Sequence, residues 1–231
     1  MTQDRGSMTP VESMTPAGSM TPAGSMTPAG SMTPFLSFTA IAAPLDLANV
    51  DTDQIIPARY LGRARPDQVE GLFHDLRRHS DGRLRDDLPL NQSAYAGAGI
   101  LVADRNFGCG SSRENAVSVM VDNGFRAFIA PSFGDIFFNN CFQNAVVPVR
   151  LPEARVAQLR ALLHADPGAR ITVDLQALQV TGPDGRQDAF EIDSFRRDCL
   201  LKGLDEVSLT LSHLPQIEAF EQTHRRRMPW L

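Results

Sequence analysis

One segment of the chain combines residues that are suited to holding a carboxylate. It spans residues 106–116 and reads Asn-Phe-Gly-Cys-Gly-Ser-Ser-Arg-Glu-Asn-Ala. Its glycines let the backbone turn tightly and approach a ligand closely, and Arg113 offers a planar fork of donors that matches a carboxylate. Ser111 and Glu114 have the spacing of a capping box, which predicts that a helix begins at Ser111 with free backbone N–H groups facing the ligand. The segment therefore predicts an anion site at a helix start.

Other sites that use similar residues fit this segment less well. A phosphate loop needs a lysine and a longer glycine spacing, and no Gly-x-Gly-x-x-Gly pattern is present. A serine hydrolase elbow reads Gly-x-Ser-x-Gly, whereas the position two after Gly108 is Gly110. An ordinary helix cap explains Ser111 but not the Gly-Cys-Gly before it or Arg113 after Ser112. We therefore interpret Ser111 as a cap that also takes part in chemistry.

The flanking sequence predicts the elements that position this segment. Residues 99–103 predict a strand, 111–122 a helix and 125–130 a second strand. Such a compact strand–helix–strand unit favours parallel pairing with a right-handed connection. Residues 62–95, rich in Arg, Asp and Gly, predict an extended excursion that would carry a lid or an interface. Further elements are predicted as a helix around 133–141, a strand at 146–149, a helix around 156–163, and β structure near 171–175, 178–181 and 189–192.

Several segments together resemble one known family. The Asn-Phe-Gly-Cys-Gly-Ser-Ser-Arg-Glu motif is similar to the signature of the 3-isopropylmalate dehydratase small subunit, which is the swivelling-domain half of the aconitase superfamily. Residues 49–57, Asn-Val-Asp-Thr-Asp-Gln-Ile-Ile-Pro, resemble the family's other landmark. Further matches are at 129–137, 193–197 and 203–205. The resemblance runs from about Phe38 to the last helix and keeps the family's order.

The resemblance implies a fold and a reaction. The fold is α/β, a swivelling β/β/α domain like the aconitase C-terminal domain, over residues 35–231. The reaction interconverts 2-isopropylmalate and 3-isopropylmalate in leucine biosynthesis by removing and re-adding water. Ser111 is then the base, and Arg113, Ser112, Gly110 and Asp53 bind the substrate. This chain binds no cofactor, since the [4Fe-4S] cluster, whose open iron takes the hydroxyl, belongs to the large subunit. The small subunit is active only with that large subunit, as a heterodimer or heterotetramer.

Serine is a weak base unless its alkoxide is stabilised. A helix terminus contributes at most about 2 kcal/mol, which is roughly 1.5 pKa units. Backbone N–H donors from the loop between Gly108 and Ser112 would have to provide the rest, as an oxyanion hole does.

A second cluster of polar residues lies in the segment 49–57. Asp51 and Asp53 flank a threonine, a pattern more typical of local caps than of catalysts. The family places this segment at the active-site wall, so Asp53 is the stronger candidate. Arg59, Tyr60 and Arg63 follow in a region where relatives differ by substrate, and either arginine could meet a distal carboxylate. Solvated surface arginines are an equally good interpretation.

One departure from the family pattern leaves the substrate open. The motif usually continues Glu-His-Ala, and this chain has Asn115 in place of the histidine. Asn115 does not titrate near neutrality, so related diacids such as citraconate, dimethylmaleate or homoaconitate remain alternatives. A non-catalytic carboxylate-binding module would use the same anion site. An enzyme centred on Cys109 is a further alternative, because a thiol at a helix start can have a lowered pKa. We interpret Cys109 as a wall residue.

Composition excludes several classes of function. The formal net charge of −5 gives no basic footprint for nucleic acid, and Arg225 to Arg227 are interpreted as a solvated tail after an amphipathic helix. No apolar run approaches the roughly 18 residues of a membrane span. Cys109, Cys141 and Cys199 form neither a disulfide framework nor a metal pair, which favours a reducing cytoplasm. None of the histidines has metal-ligand spacing; they are His74, His79, His164, His213 and His224.

The N-terminus differs from the rest of the chain. Residues 1–34 repeat a unit that is mostly Ser-Met-Thr-Pro-Ala-Gly. A proline in every unit opposes helices and sheet ladders, and few apolar residues are available to offset the entropy of ordering. We predict a disordered tail over 1–34. The segment lacks the apolar core of a secretory signal, and a translation start at Met32 is the preferred explanation of the repeat.

Overall fold

The computed structural model describes residues 32–228 and 230. Most of the predicted tail, residues 1–31, lies outside this part, so its disorder stays a prediction. The predicted domain boundary at residue 35 also stays a prediction, although Met32 already donates its backbone N–H to the Gly203 carbonyl at 2.9 Å.

The described residues form seven strands and nine α-helices, which alternate from β2 to β5. The strands are β1 Ser37–Leu45, β2 Ile100–Ala103, β3 Ala127–Ala130, β4 Val147–Arg150, β5 Arg170–Asp174, β6 Gln179–Thr181 and β7 Gln187–Ala189. The helices are α1 Thr52–Ile55, α2 Ala58–Leu61, α3 Arg65–Gln68, α4 Asn115–Asp122, α5 Asp135–Gln143, α6 Glu153–Ala165, α7 Ser194–Lys202, α8 Glu206–Ser212 and α9 Leu214–Arg227. Short 3-10 turns occupy Val69–Gly71, Pro89–Asn91 and Ser93–Tyr95.

All seven strands belong to one sheet in the order β4-β3-β2-β1-β5-β6-β7. Strands β1 to β4 pair in parallel, and β5 to β7 add antiparallel pairs. Strand β1 joins the two halves, because residues 42–45 pair with β2 whereas 37–41 pair with β5. The parallel strands are short and apolar, as expected for strands covered on both faces.

Two layers of apolar side chains cover the sheet. Helices α4 and α5, with the segment from 55 to 98, pack on one face, and α6 packs on the other. Neighbouring strand residues alternate between these layers: Leu101 contacts the first, whereas Ile100 and Val102 contact the second. The carboxyl ends of β1, β2 and β3 therefore lie together at one edge, where open α/β sheets hold their ligands.

Most predicted elements are confirmed within two or three residues. The parallel β2–α4–β3 unit is confirmed, and so are the helices that contain 135–141 and 156–163. Two boundaries were wrong: α4 begins at Asn115 rather than Ser111, and Arg225 to Arg227 form the last turn of α9 rather than a tail after it. Among the described residues, no helix combines the length and apolar character needed to cross a bilayer.

Candidate active site

The loop after β2, residues 104–114, carries the Asn-Phe-Gly-Cys-Gly-Ser-Ser-Arg-Glu motif and is called the motif loop. It runs beside the segment that follows β1, residues 46–51. The Gly108 N–H donates to the Val50 carbonyl at 2.8 Å, and the Thr52 N–H donates to the Cys109 carbonyl at 2.9 Å. These two bonds form a short parallel bridge between Asp51 and Cys109. Residues separated by more than fifty positions in sequence are therefore fixed side by side.

The loop after β3 supports the motif loop from its other side. Phe107 donates its N–H to the Ser132 carbonyl at 3.1 Å and accepts from the Gly134 N–H at 2.9 Å. The Ser132 hydroxyl accepts from the Asn106 N–H at 2.8 Å. Three loops, one from each of β1, β2 and β3, thus form a single hydrogen-bonded platform at the sheet edge.

Two glycines make this close approach possible. Gly108 has φ +72°, and a Cβ placed on it would lie 2.2 Å from Cγ of Phe137. Gly110 has φ +95°, and its Cβ would lie 3.3 Å from Cβ of Asp51. A larger residue at Gly108 would meet both a steric clash and an unfavourable backbone conformation.

The motif loop is not a capped helix start. No side chain caps α4, whose N-cap residue is Glu114. The carbonyl of an N-cap residue accepts the first intrahelical hydrogen bond, whereas that of Ser111 is engaged outside the helix. The Ser111 carbonyl accepts a hydrogen bond from the Thr52 hydroxyl at 3.0 Å. Ser111 therefore lies in an irregular loop, four residues before the helix.

Thr52 is a residue of the candidate site that sequence reasoning did not select. It is only 2 % exposed, and its hydroxyl oxygen also lies 3.5 Å from that of Ser111. The available signal was a threonine between two aspartates, but its contact with Ser111 spans 59 positions. Thr52 holds the loop that carries the predicted base.

Arg113 and Asp53, both predicted site residues, form an ion pair through Nη1 and Oδ1. The Arg113 side chain is 19 % exposed and that of Asp53 is 55 % exposed. Within the described residues, the other N–H groups of Arg113 donate to no acceptor. Asp53 thus orients the guanidinium while leaving most of its donors available for a carboxylate.

The backbone of the motif loop offers additional donors. The Gly108 N–H donates to the Val50 carbonyl, so Gly108 is not one of the free loop donors that the sequence analysis expects to stabilise the alkoxide. None of the N–H groups from Gly110 to Arg113 has an acceptor in the described part of the chain. Ser111 and Ser112 are both exposed. The loop thus presents free N–H groups next to two hydroxyls and a guanidinium, an arrangement suited to an anion.

Asp51 and Cys109 both have structural roles here. Asp51 is the N-cap of α1 and forms a complete capping box with Gln54. The Cys109 thiol donates to the Asn49 carbonyl at 3.4 Å. Burial and the nearby Asp51 carboxylate raise the pKa of Cys109. A raised pKa leaves less thiolate, which argues against a cysteine nucleophile.

The three candidate specificity residues differ in how they are engaged. Arg59 pairs with Asp75 through two donors, which raises the pKa of Arg59 and lowers that of Asp75 to about 2. Tyr60 is buried, and the Arg63 guanidinium stacks 4.3 Å from its ring centre. Arg63 has no carboxylate partner in the described chain, which makes it the more available of the two arginines.

Asn115 connects the motif to that specificity region. Its side-chain amide donates to Oε1 of Gln68 at 3.0 Å. Gln68 is 6 % exposed and donates to the carbonyls of Arg63 at 3.0 Å and Leu61 at 3.5 Å. The residue that departs from the family pattern therefore supports the segment that carries Arg63.

The described residues contain no group of three or more His, Cys, Asp or Glu side chains placed to hold a metal ion. Cys109, Cys141 and Cys199 are all free, and burial raises the pKa of Cys141 well above its usual range. This donor set does not fit an iron–sulfur cluster, which needs a convergent group of thiolates.

Comparison with known families decides the relationship. A family model described as the aconitase C-terminal domain matches residues 32–154, one described as LeuD_N matches 157–194, and one described as the C-terminal domain of the 3-isopropylmalate dehydratase small subunit matches 206–231. The 3-isopropylmalate dehydratase small subunit of Rhodospirillum centenum is 50% identical over 193 residues, covering 83% of this chain and 95% of that protein. This chain belongs to the 3-isopropylmalate dehydratase small-subunit family.

Other relatives agree with this membership. The small subunit from Paramagnetospirillum magneticum is 47% identical over 196 residues, covering 84% of this chain and 98% of that protein. A crystal structure of 3-isopropylmalate dehydratase (LeuD) from Methanocaldococcus jannaschii has a TM-score of 0.59 and covers 80% of this chain and 99% of that chain. At 24% identity it supports the fold alone. The fold and the family predicted from the sequence are both confirmed.

Proposed function

We propose that this chain is the small subunit of a two-chain hydro-lyase that interconverts 2-isopropylmalate and 3-isopropylmalate in leucine biosynthesis. The observation that carries the proposal is the convergence of Ser111, Arg113 and Asp53 on one platform with unpaired N–H groups. A dicarboxylate fits such a site, because one carboxylate would meet the guanidinium and the loop N–H groups. The three free thiols fit a reducing compartment such as the cytoplasm.

Ser111 is the proposed base for the weakly acidic proton next to a substrate carboxylate. Its alkoxide needs stabilisation, and the dipole of α4 contributes little, because that effect is confined to the helix's first turn. The stabilising groups are therefore the free loop N–H donors and the positive charge of Arg113, acting in a site from which the partner subunit excludes water when it closes over the loop. Ser112 and Gly110 complete the carboxylate pocket, and Asp53 orients Arg113.

The remaining chemistry belongs to a partner. The leaving hydroxyl needs a Lewis acid, and among the residues that the structure describes, the side chains do not offer a ligand set for a cluster. We assign the [4Fe-4S] cluster to the large subunit, in a heterodimer or heterotetramer, and the small subunit alone is expected to be inactive.

The decisive experiment uses the purified complex of both subunits. Ser111→Ala should lower kcat by about three orders of magnitude or more with little change in KM, since it removes the base but leaves Arg113, which binds the carboxylate. Arg113→Lys should raise KM, because a point charge replaces the planar fork. Ser93→Ala, which changes an exposed serine in the 3-10 turn Ser93–Tyr95, is the control. If Ser111→Ala retained wild-type kcat, the site would bind carboxylates without performing the chemistry.

A second substrate is favoured by one specific observation. Asn115 supports the Arg63 segment through Gln68, so the pocket that faces the substrate's side chain would differ from that of relatives with histidine. Assays with 2-isopropylmalate, citraconate, dimethylmaleate and homoaconitate decide this point. Higher kcat/KM for any of the last three would reassign the substrate while keeping the hydro-lyase reaction.

A further inference from the structure

The C-terminal helices expose apolar side chains that the domain itself does not cover. Helices α8 and α9 lie wholly within the described residues, and none of their residues is buried. Val207 is 62 % exposed, Leu211 57 %, Leu214 43 % and Phe220 68 %. Single exposed apolar residues are ordinary, but Val207 and Leu211 share one face of α8, and with the exposed Leu214 and Phe220 of α9 they give this end of the chain an apolar character typical of protein-binding surfaces.

The start of this surface is firmly attached to the domain. Gly203 ends α7 with φ +66°, and a Cβ at this position would lie 2.3 Å from the Met32 carbonyl oxygen. The Asp205 side chain caps α8 by accepting from the Ser208 N–H at 2.7 Å. Gln143 on α5 donates to Glu206 at 3.0 Å. The direction in which α8 leaves the domain is thus set by specific contacts.

The same surface is continuous with the active-site loop. A cavity of about 510 Å³ lies between α5, α7 and α8, and its lining includes Glu114, Phe142, Phe195 and Val207. Glu114 directly follows Arg113 in the motif loop. Apolar side chains of α8 therefore begin at the margin of the site.

We propose that α8 and α9 are the docking surface for the large subunit. The proposal rests on the proposed function, because a split active site requires the partner to close over the Ser111 loop, and a partner placed there reaches the adjoining cavity and α8. A second copy of this chain on the same face would obstruct the loop. The N-terminal repeat is a poor occupant, since its Ser-Met-Thr-Pro-Ala-Gly units offer few apolar side chains larger than alanine and proline besides a single methionine each.

The test compares affinities for the purified large subunit. The double variant Leu211→Gln with Phe220→Gln should weaken binding about tenfold or more, because buried aromatic anchors dominate protein interfaces. Leu36→Gln, whose side chain is 49 % exposed at the other end of the chain, is the matched control and should bind normally. At saturating large subunit, kcat of the double variant should equal that of wild type. Equal affinities for the double variant and wild type would overturn the proposal.

Hydrogen exchange of the full-length chain separates the other possible occupants. Amides of α8 and α9 should exchange rapidly in the isolated protein and slow down when the large subunit is added. Slow exchange in the isolated monomer that becomes fast when residues 1–31 are removed would mean that the N-terminal segment covers the face, and slow exchange that appears only in a self-dimer would mean that a second copy does. Either result would reject the docking proposal. If the wild-type complex forms through α8 and α9 but lacks dehydratase activity, the docking surface stands and the proposed function fails.

Discussion

Replacing Thr52 tests whether the platform beneath Ser111 governs catalysis. Thr52→Val keeps the shape of this buried side chain but removes the hydroxyl that donates to the Ser111 carbonyl. Because Ser111 is exposed, water can replace that donor, so the loss of unfolding free energy should be near the low end of the usual range, about 0.5–1 kcal/mol. For a domain of this size the melting temperature should fall by roughly 2–4 °C per kcal/mol.

The effect on activity should be larger than the effect on stability. Loss of the anchor frees the Ser111 loop, and a small misplacement of a reacting group lowers the rate steeply. We expect kcat of the assembled enzyme to fall about 10- to 100-fold, which is about 1.4–2.7 kcal/mol of activation free energy.

Thr52→Ser is the matched control for this variant. It keeps the hydroxyl and loses a buried methyl group, which costs about 1 kcal/mol of stability. Its kcat should stay within about threefold of wild type although its melting temperature falls as much as that of Thr52→Val. The reasoning is refuted if the two variants lose the same activity, or if Thr52→Val turns over at the wild-type rate.

Three further predictions address the surrounding structure. Gly108→Ala should lower the unfolding free energy by about 3 kcal/mol or more, because it adds a clash with α5 to an unfavourable backbone conformation, whereas Gly82→Ala, with φ +86° and open space around it, should cost about 1 kcal/mol in chemical denaturation. Asn115→Ala should lower the unfolding free energy by about 1–2 kcal/mol, because it leaves buried Gln68 without a donor, and Asn115→His should lose less because imidazole can donate instead; a larger loss for histidine would contradict this. The pKa of Asp75 is about 2, below its unfolded value, so its stabilising contribution is complete above about pH 4 and disappears as pH falls toward 2. Asp75→Asn should therefore be less stable than wild type at pH 7 by under about 1 kcal/mol, since the pair is exposed, and the difference should vanish near pH 2.

The sequence predicts the strands and the parallel unit well because those features are local. Apolar runs of four or five residues between turn signals mark β2 and β3, and their order restricts the topology. The start of α4 was predicted wrongly for an equally local reason. Ser111 and Glu114 have capping spacing, but the spacing does not reveal that the Ser111 carbonyl is already bonded to the Thr52 hydroxyl.

Contacts between distant parts of the chain account for the features of the site that the sequence does not predict. The resemblance to the family identified Arg113 and Asp53 in two separate segments, and only the fold reveals that they form a pair. The link from Asn115 through Gln68 to Arg63 likewise joins three positions that show no common sequence pattern. Neither is encoded in periodicity or spacing, because both depend on how the loops after β1 and β2 meet.

The platform at the sheet edge also bears on how such proteins diversify. The proposed chemistry rests on two short segments, 49–53 and 106–113, that hydrogen-bond directly to each other. The long excursion between them leaves from one segment and returns through β2 to the other. Its exposed arginines can change without altering the bonds that place Ser111, because those bonds lie within the two short segments. A gene duplicate could therefore acquire a new substrate by changing the excursion while inheriting its reaction intact.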